Sequence, residues 1–97
     1  MNRLWRVYII LCENKSHYTG VSTDYLRRFK EHGTGKGAKF FRTAKPVKFL
    51  WVSEEMDKSK AFRLEAHLKS GTRSRRIEIL RDRGVSEVEL EQLLDHT

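Results

Sequence analysis

The sequence is poor in several kinds of residue, and each scarcity excludes a class of protein. Cys12 is the only cysteine, so no disulfide forms within the chain and nothing suggests an oxidising compartment. One cysteine and four scattered histidines give no zinc-ligand spacing. The apolar run VYIILC stops at Glu13 and is too short for a signal peptide or a membrane-spanning helix. We therefore expect a cytoplasmic protein.

Acidic residues are scarce in the first half of the chain. Residues 1–50 hold eleven Lys and Arg against three acidic residues, a net charge of +8. Residues 51–97 hold nine Lys and Arg against ten acidic residues, a net charge of −1. The total of +7 indicates a polyanionic partner, and the first half is the predicted contact half.

No repeat and no low-complexity linker divides the 97 residues, a length that suits one domain. We expect a single domain over residues 1–97, in which residues 84–97 form a C-terminal helical tail. A chain this short buries roughly 60–65% of its unfolded surface. Few of its residues can therefore be diverted from packing to function.

Hydrophobic patterning predicts three strands and four helices. Residues 5–12 are β-branched and aromatic, and the polar turn ENKS joins them to a hairpin partner at 17–21. Pro46 opens a third strand, VKFLWV. Capping residues and glycines delimit the helices, placed at about 24–33, from 57 or 59 to about 69, at 73–83 and at 87–96. The order β-β-α-β-α-α-α indicates an α+β fold, a small three-stranded antiparallel sheet flanked by helices.

The first predicted helix carries Arg28 and His32 one turn apart, beside the face that holds Leu26 and Phe29. A solvated basic flank is one explanation of this pair. The other is a grip on one phosphate, since the guanidinium offers a planar fork of hydrogen-bond donors.

Glu65 lies within the apolar stripe of the second predicted helix, which consists of Ala61, Phe62, Leu64 and Leu68. A carboxylate that faces a core is costly unless it is paired or bound to a metal ion. An ion pair with Lys69, four residues on, is one interpretation. A metal ligand is the other, and the pattern favours neither.

Tyr8 interrupts an otherwise apolar strand, and Tyr18 precedes Gly20 at the end of the next strand. A buried tyrosine is usually a packed ring with a satisfied hydroxyl. A phenol near fixed positive charge loses its proton more easily and can act as a base. Gly20 would allow a ligand close to the backbone, or merely permit a bulge.

The segment 33–45, GTGKGAKFFRTAK, is predicted to be a basic loop. It is not a P-loop, because Gly37 follows Lys36 where that motif needs Ser or Thr after the lysine. We expect Lys36, Lys39 and Arg42 to contact a nucleic-acid backbone, with Phe40 and Phe41 available for stacking on bases. The alternative is a mobile solvated loop in which the two aromatic rings are anchors.

Together these residues resemble the GIY-YIG nuclease superfamily, and most of all its small stand-alone bacterial members. Arg6-Val7-Tyr8 stands at the GIY element and Tyr18-Thr19-Gly20 at the YIG element. Arg28 and His32 match the family's R-x3-H, and Glu65 in RLEAHLK matches its helix glutamate. The loop GKGAKFFRTAKP matches that of the subgroup, and the resemblance covers roughly residues 3–80.

The resemblance implies a catalytic set of Tyr8, Tyr18, Arg28, His32 and Glu65. In that set Glu65 holds one Mg²⁺ or Mn²⁺ ion, mostly water-ligated, which stabilises the leaving oxygen of a phosphodiester. Tyr8 takes the proton of the attacking water, and Tyr18 positions the water or the phosphate. Arg28 stabilises charge on the phosphoryl oxygens, and His32 holds or assists the tyrosine.

We therefore expect a metal-dependent endonuclease that hydrolyses DNA, including single-stranded or branched forms, in DNA repair or recombination. Lys36, Lys39, Arg42 and Gly20 would contact the nucleic acid. The alternative is a nucleic-acid-binding module that kept the basic surface and lost catalysis. A third interpretation is a protein-interaction domain whose acidic tail docks a partner. The intact catalytic set favours the nuclease.

Overall fold

The computed structural model describes residues 3–94, and the predicted end of the last helix, at residues 95 and 96, lies outside them. Three strands form one sheet, namely β1 (Arg6–Cys12), β2 (His17–Ser22) and β3 (Pro46–Val52). The helices are α1 (Tyr25–Gly33), α2 (Lys58–Lys69), α3 (Arg73–Asp82) and α4 (Glu87–Leu94), with a 3₁₀ turn at Lys39–Arg42. The predicted α+β class and the order of elements are confirmed.

Polar caps set where the first three helices begin. Asp24, Asp57 and Thr72 precede α1, α2 and α3, and each side chain accepts a hydrogen bond from the backbone N–H three residues on. Each bond satisfies a donor that the first helical turn leaves unpaired. Of the two predicted starts of α2, Asp57 is therefore the cap. None of the helices in residues 3–94 is long and apolar enough to cross a membrane.

β1 is the central strand and pairs antiparallel with β2 on one side and β3 on the other. In the register with β2, Tyr8 lies opposite Gly20, and Ile10 lies opposite Tyr18. Residues two apart on a strand, and residues directly opposite across a pair, point to the same face. The register therefore brings both tyrosines to one face of the sheet.

Both faces of β1 are buried, which explains why its sequence is apolar almost throughout. The odd-numbered residues Val7, Ile9 and Leu11 lie in the larger core, which α2, α3 and α4 cover. The even-numbered residues, beginning with Tyr8, lie in a smaller core under α1 and the 3₁₀ turn. The candidate base is thus part of the packing of the smaller core.

The segment 33–45 is more ordered than its sequence predicts. Its 3₁₀ turn buries Phe41, whose exposed fraction is 3%, in the smaller core. The prediction that both phenylalanines are available for stacking on bases is therefore wrong for Phe41. Phe40 is 40% exposed and remains accessible.

Candidate active site

Tyr8 and His32 form a buried hydrogen-bonded pair in the smaller core. The Tyr8 hydroxyl oxygen lies 3.0 Å from His32 Nε2, and the backbone N–H of Ala38 donates to His32 Nδ1 over 3.2 Å. Burial, together with the charge of Arg28, lowers the pKa of His32 to about 4, so the ring is neutral at pH 7. A neutral ring whose Nδ1 accepts carries its proton on Nε2. His32 therefore donates its hydrogen bond to the Tyr8 oxygen.

The loop after α1 fixes the position of the His32 ring. At Gly37, a Cβ atom would lie 2.1 Å from His32 Nδ1 and 2.8 Å from His32 Cα. No side chain fits there, so glycine is required for the backbone to pass this close to the histidine. The Phe41 ring stacks on the imidazole, with centroids 4.1 Å apart and planes at 29°. This packing holds Nδ1 against the Ala38 N–H and so sets the tautomer.

Gly20 lies against both tyrosines. A Cβ atom on Gly20 would come within 2.6 Å of the Tyr8 hydroxyl oxygen and 2.8 Å of Tyr18 Cε2. The two tyrosine rings are 6.4 Å apart between centroids. The glycine therefore provides the space that the Tyr8 hydroxyl occupies. A contact between Gly20 and a nucleic-acid backbone stays a prediction.

The hydroxyls of Tyr8 and Tyr18 both keep their protons at neutral pH. Burial raises the pKa of Tyr8, and the neighbouring Tyr18 and Glu65 raise it further. Burial also raises the pKa of Tyr18, again with a contribution from Glu65. Arg28 acts in the opposite direction on both. Positive charge does lower the two tyrosine pKa values, as the sequence suggested, but burial raises them by more.

Tyr8, Tyr18 and His32 form a cluster that the charge of Arg28, on α1, also reaches. Arg28 is held in place by an acidic neighbour. Its Nη1 lies 2.8 Å from Glu31 Oε1, and the hydrogen bond to Glu31 raises the pKa of Arg28. Arg27 approaches the same carboxylate at 3.9 Å but is twice as exposed. The sequence analysis missed Glu31, although its spacing of three residues from Arg28 is one that helices use for ion pairs.

Glu65 belongs to the same cluster and approaches it from α2. Its side chain is 18% exposed, and its Oε2 lies 3.5 Å from Lys69 Nζ. That ammonium lies 5.6 Å from the centre of the Tyr18 ring. The ion-pair interpretation of Glu65 is confirmed, and its role as a metal ligand stays a prediction. Phe62, predicted to share the buried stripe, is 41% exposed.

A single carboxylate limits the kind of metal site that can form here. No group of three or more His, Cys, Asp or Glu side chains able to enclose a metal ion occurs in residues 3–94. Mg²⁺ is commonly held by one or two carboxylates, with water and substrate phosphate as its other ligands. Mn²⁺ also prefers carboxylate and water oxygens. Glu65, partly exposed at the edge of the tyrosine cluster, fits that kind of site.

The basic side chains of the loop lie at the surface around the buried pair. Lys36, Lys39 and Arg42 are exposed, and none forms an ion pair with an acidic residue among those described. Lys36 and Lys39 flank the two residues, Gly37 and Ala38, that pack against His32. The loop therefore combines an inner side that orients the histidine with an outer side that carries positive charge.

The structure brings together five predicted residues from four separate elements, β1, β2, α1 and α2: Tyr8, Tyr18, Arg28, His32 and Glu65. The sequence did not predict that Glu31, Gly37 and Phe41 hold these side chains in place. The glycine-rich composition of the loop was the one signal that a close backbone approach occurs there.

Residues 4–78 match the family of GIY-YIG catalytic domains. The chain belongs to the GIY-YIG family. The matched span includes the whole sheet, α1, α2 and the first part of α3, and so every residue of the cluster. The resemblance seen in the sequence is confirmed.

Bacterial relatives of this GIY-YIG chain carry the family designation UPF0213. The UPF0213 protein of Neisseria meningitidis serogroup C is 47% identical over 68 residues, or 70% of this chain and 75% of the relative. That of Cupriavidus necator is 43% identical over 65 residues, or 67% and 71% of the two chains. That of Xanthomonas axonopodis pv. citri is 38% identical over 73 residues, or 75% and 72%. No solved structure matches the chain.

Membership of the GIY-YIG family places the chain among nuclease-type hydrolases, with nucleic acid as the class of substrate. Nucleases of this family generally depend on a divalent metal ion. The names of the UPF0213 relatives state no reaction, metal or pathway.

Proposed function

We propose that the protein is a divalent-metal-dependent endonuclease that hydrolyses DNA phosphodiester bonds. The observation that carries the proposal is the convergence of three groups on the Tyr8 hydroxyl. His32 donates a hydrogen bond to its oxygen, Arg28 lowers its pKa, and the Glu65 carboxylate acts on it by charge. A tyrosine that only filled a core would need the hydrogen bond from His32, but it would not need the two charged groups.

Tyr8 acts as the general base in this proposal. The Tyr8 hydroxyl first releases its proton to water at the site, and the phenolate left behind is a strong base that takes the proton of the attacking water. The Nε2–H of His32 stabilises that phenolate, because a donor to the oxygen favours the charged form. Tyr18 positions the water or the phosphate from the same face of the sheet. Arg28 stabilises the charge that develops on the phosphoryl oxygens.

Glu65 is the proposed ligand of Mg²⁺ or Mn²⁺. A divalent cation there supplies stabilisation of the leaving oxygen when it is bound. The carboxylate is suited to this role because it is partly buried on a regular helix, while one side remains open to water.

The proposed substrate surface is the basic loop beside the cluster. Lys36, Lys39 and Arg42 are exposed and would contact phosphates, with Phe40 available to stack on a base. A preference for DNA, including single-stranded or branched forms, and a place in DNA repair or recombination belong to the proposal. So does the assignment of residues 1–97 to one domain with a helical tail from residue 84.

A nucleic-acid-binding module without catalysis is the second candidate, and one observation favours it. Glu65 and Arg28, on which cleavage would depend, already have ion-pair partners within the protein, Lys69 and Glu31. In a binding module these pairs would be purely structural.

Cleavage assays separate the two candidates. Pure protein is incubated with labelled single-stranded, duplex, flap and branched DNA in the presence of Mg²⁺, Mn²⁺ or EDTA. We expect at least one form to be cut with a metal ion and none with EDTA. Binding of DNA without cutting of any form would establish the binding module instead.

A further inference from the structure

Glu65 and Lys69 form an ion pair at the place where the proposed function needs a metal ligand. Glu65 Oε2 and Lys69 Nζ are 3.5 Å apart on α2. The carboxylate is the more buried partner, since its side chain is 18% exposed and that of Lys69 is 49% exposed. A partly buried carboxylate has lost much of its hydration and is costly without a nearby cation.

We propose that Lys69 is the resident counter-ion of Glu65 and that a divalent cation displaces it on binding. This inference rests on the proposed function. The two interpretations that the sequence left open, ion pair and metal ligand, then describe two states of one carboxylate. Lysine suits such an exchange, because its ammonium is a single point charge on a flexible stem and makes no bidentate fork with the carboxylate.

The Tyr18 ring gives the displaced ammonium a second place to lie. Lys69 Nζ is already 5.6 Å from the centre of that ring, within the range at which a cation is attracted to an aromatic face. The ammonium can therefore leave the carboxylate by a side-chain rotation. α2 stays in place during the exchange, because Ala61, Leu64 and Leu68 anchor it in the larger core.

The exchange makes Lys69 a competitor of the metal ion. Each binding event breaks the ion pair, so the measured affinity is weaker than that of the carboxylate without its partner. Ion pairs at partly exposed positions are weak, and loss of the ammonium should tighten metal binding by about two- to fivefold. Tighter metal binding is expected only when Lys69 loses its charge, and not when a lysine elsewhere on the protein does.

Binding of Mn²⁺ to the full chain, followed by the electron paramagnetic resonance signal of the free ion at fixed ionic strength, tests the inference. Lys69→Met keeps the unbranched stem and removes the charge. Lys69→Arg keeps the charge. Lys60→Met removes the same charge from the same helix, about 140° around it from Glu65.

Lys69→Met should bind Mn²⁺ about two- to fivefold more tightly than the parent protein. Lys69→Arg and Lys60→Met should bind it no more tightly. Loss of binding in Glu65→Gln identifies Glu65 as the ligand that is measured. Thermal melting of each variant establishes that it is folded.

Two outcomes overturn the inference and leave the proposed function standing. In one, Glu65→Gln abolishes binding while Lys69→Met leaves the affinity unchanged. In the other, Lys60→Met tightens binding as much as Lys69→Met, which would make the effect one of net charge. A parent protein with no Glu65-dependent Mn²⁺ binding in the millimolar range would overturn both the inference and the proposed metal site.

Discussion

The Tyr8 hydroxyl oxygen accepts a hydrogen bond from His32 Nε2 over 3.0 Å, in the interior of the smaller core. The direction of this bond follows from the other side of the ring, where the Ala38 N–H occupies Nδ1. A neutral imidazole has one proton to give, and here it is given to the tyrosine. His32 is therefore placed to hold the oxygen and stabilise a phenolate, and not to remove the tyrosine proton.

Protein stability should depend on pH through His32. Its pKa is about 4 in the folded protein, against 6.5 for an ordinary histidine. Between those values the unfolded chain binds a proton that the folded protein does not. The free energy of unfolding should therefore decrease as the pH falls through this window, by at most about 1.4 kcal/mol per pH unit. Urea unfolding at several pH values measures the slope, and His32→Gln should flatten it. An equally steep slope in the variant would assign the effect to other groups.

Gly37→Ala should destabilise the protein by about 1–3 kcal/mol, as overpacking of a filled site does. The added Cβ atom would lie 2.1 Å from His32 Nδ1 and 2.8 Å from backbone atoms of the same residue. Gly33→Ala is the matched control, since its Cβ atom meets nothing closer than Pro46 Cγ at 4.0 Å. Chemical unfolding of both variants compares them directly. Equal stabilities would show that the loop does not pack against the histidine as described.

Glu65→Gln should abolish cutting while DNA binding persists or becomes tighter. Loss of the carboxylate removes the proposed metal ligand, and it also removes a negative charge beside the proposed phosphate site. Cleavage rate and DNA affinity are measured separately, with Glu78→Gln, an exposed carboxylate on α3, as control. A folded Glu65→Gln protein that cuts at the parental rate would remove the metal site from the proposed function.

Arg28→Ala should reduce the cleavage rate by about 10²–10³-fold, the usual effect of losing one donor aimed at transition-state charge. Arg27→Ala is a close control, because Arg27 also approaches Glu31 and its side chain is 65% exposed. The control should lose the same net charge and keep most of the activity. Single-turnover rates with saturating enzyme separate chemistry from binding. Similar losses in both variants would point to net charge and not to a positioned donor.

The basic loop should account for much of the salt dependence of DNA binding. Each phosphate contact that is lost lowers the slope of log K against log salt by about 0.7–0.9. Titrations at several salt concentrations compare the parent with a triple alanine variant at Lys36, Lys39 and Arg42. A control variant removes three exposed positive charges from the helical half, at Lys60, Arg63 and Arg81. A larger loss of slope in the control would move the contact surface to α2 and α3.

The strands and helices could be predicted because they depend on local rules, whereas the candidate catalytic set followed from the resemblance to the GIY-YIG family. β-branched and aromatic composition predicted β1, and the helical period placed Arg28 and His32 one turn apart on α1. The burial of Phe41 was not predictable in this way. Phe41 is buried by tertiary contacts with the rings of His32 and Tyr18, which the local sequence does not reveal.

The environment of α2 shows the same limit. Phe62 has the periodicity of a core residue, yet it packs against Trp5 at the surface, with ring centroids 5.3 Å apart. Glu65 has the same periodicity and is partly buried beside Lys69. Periodicity places a residue on a face of a helix, whereas the width of the buried contact depends on what packs against it.

Successive side chains of β1 point alternately into the two cores, so the proposed chemistry depends on the register of this strand. A strand shifted by one residue would turn Tyr8 toward the larger core and replace it in the smaller core with an aliphatic side chain. Such a molecule would have no hydroxyl for His32 to hold and would lack the proposed general base. Cleavage activity would therefore require the native register of β1. The specific activity of a refolded sample would be proportional to the fraction of molecules in which β1 pairs with β2 and β3 in the native register.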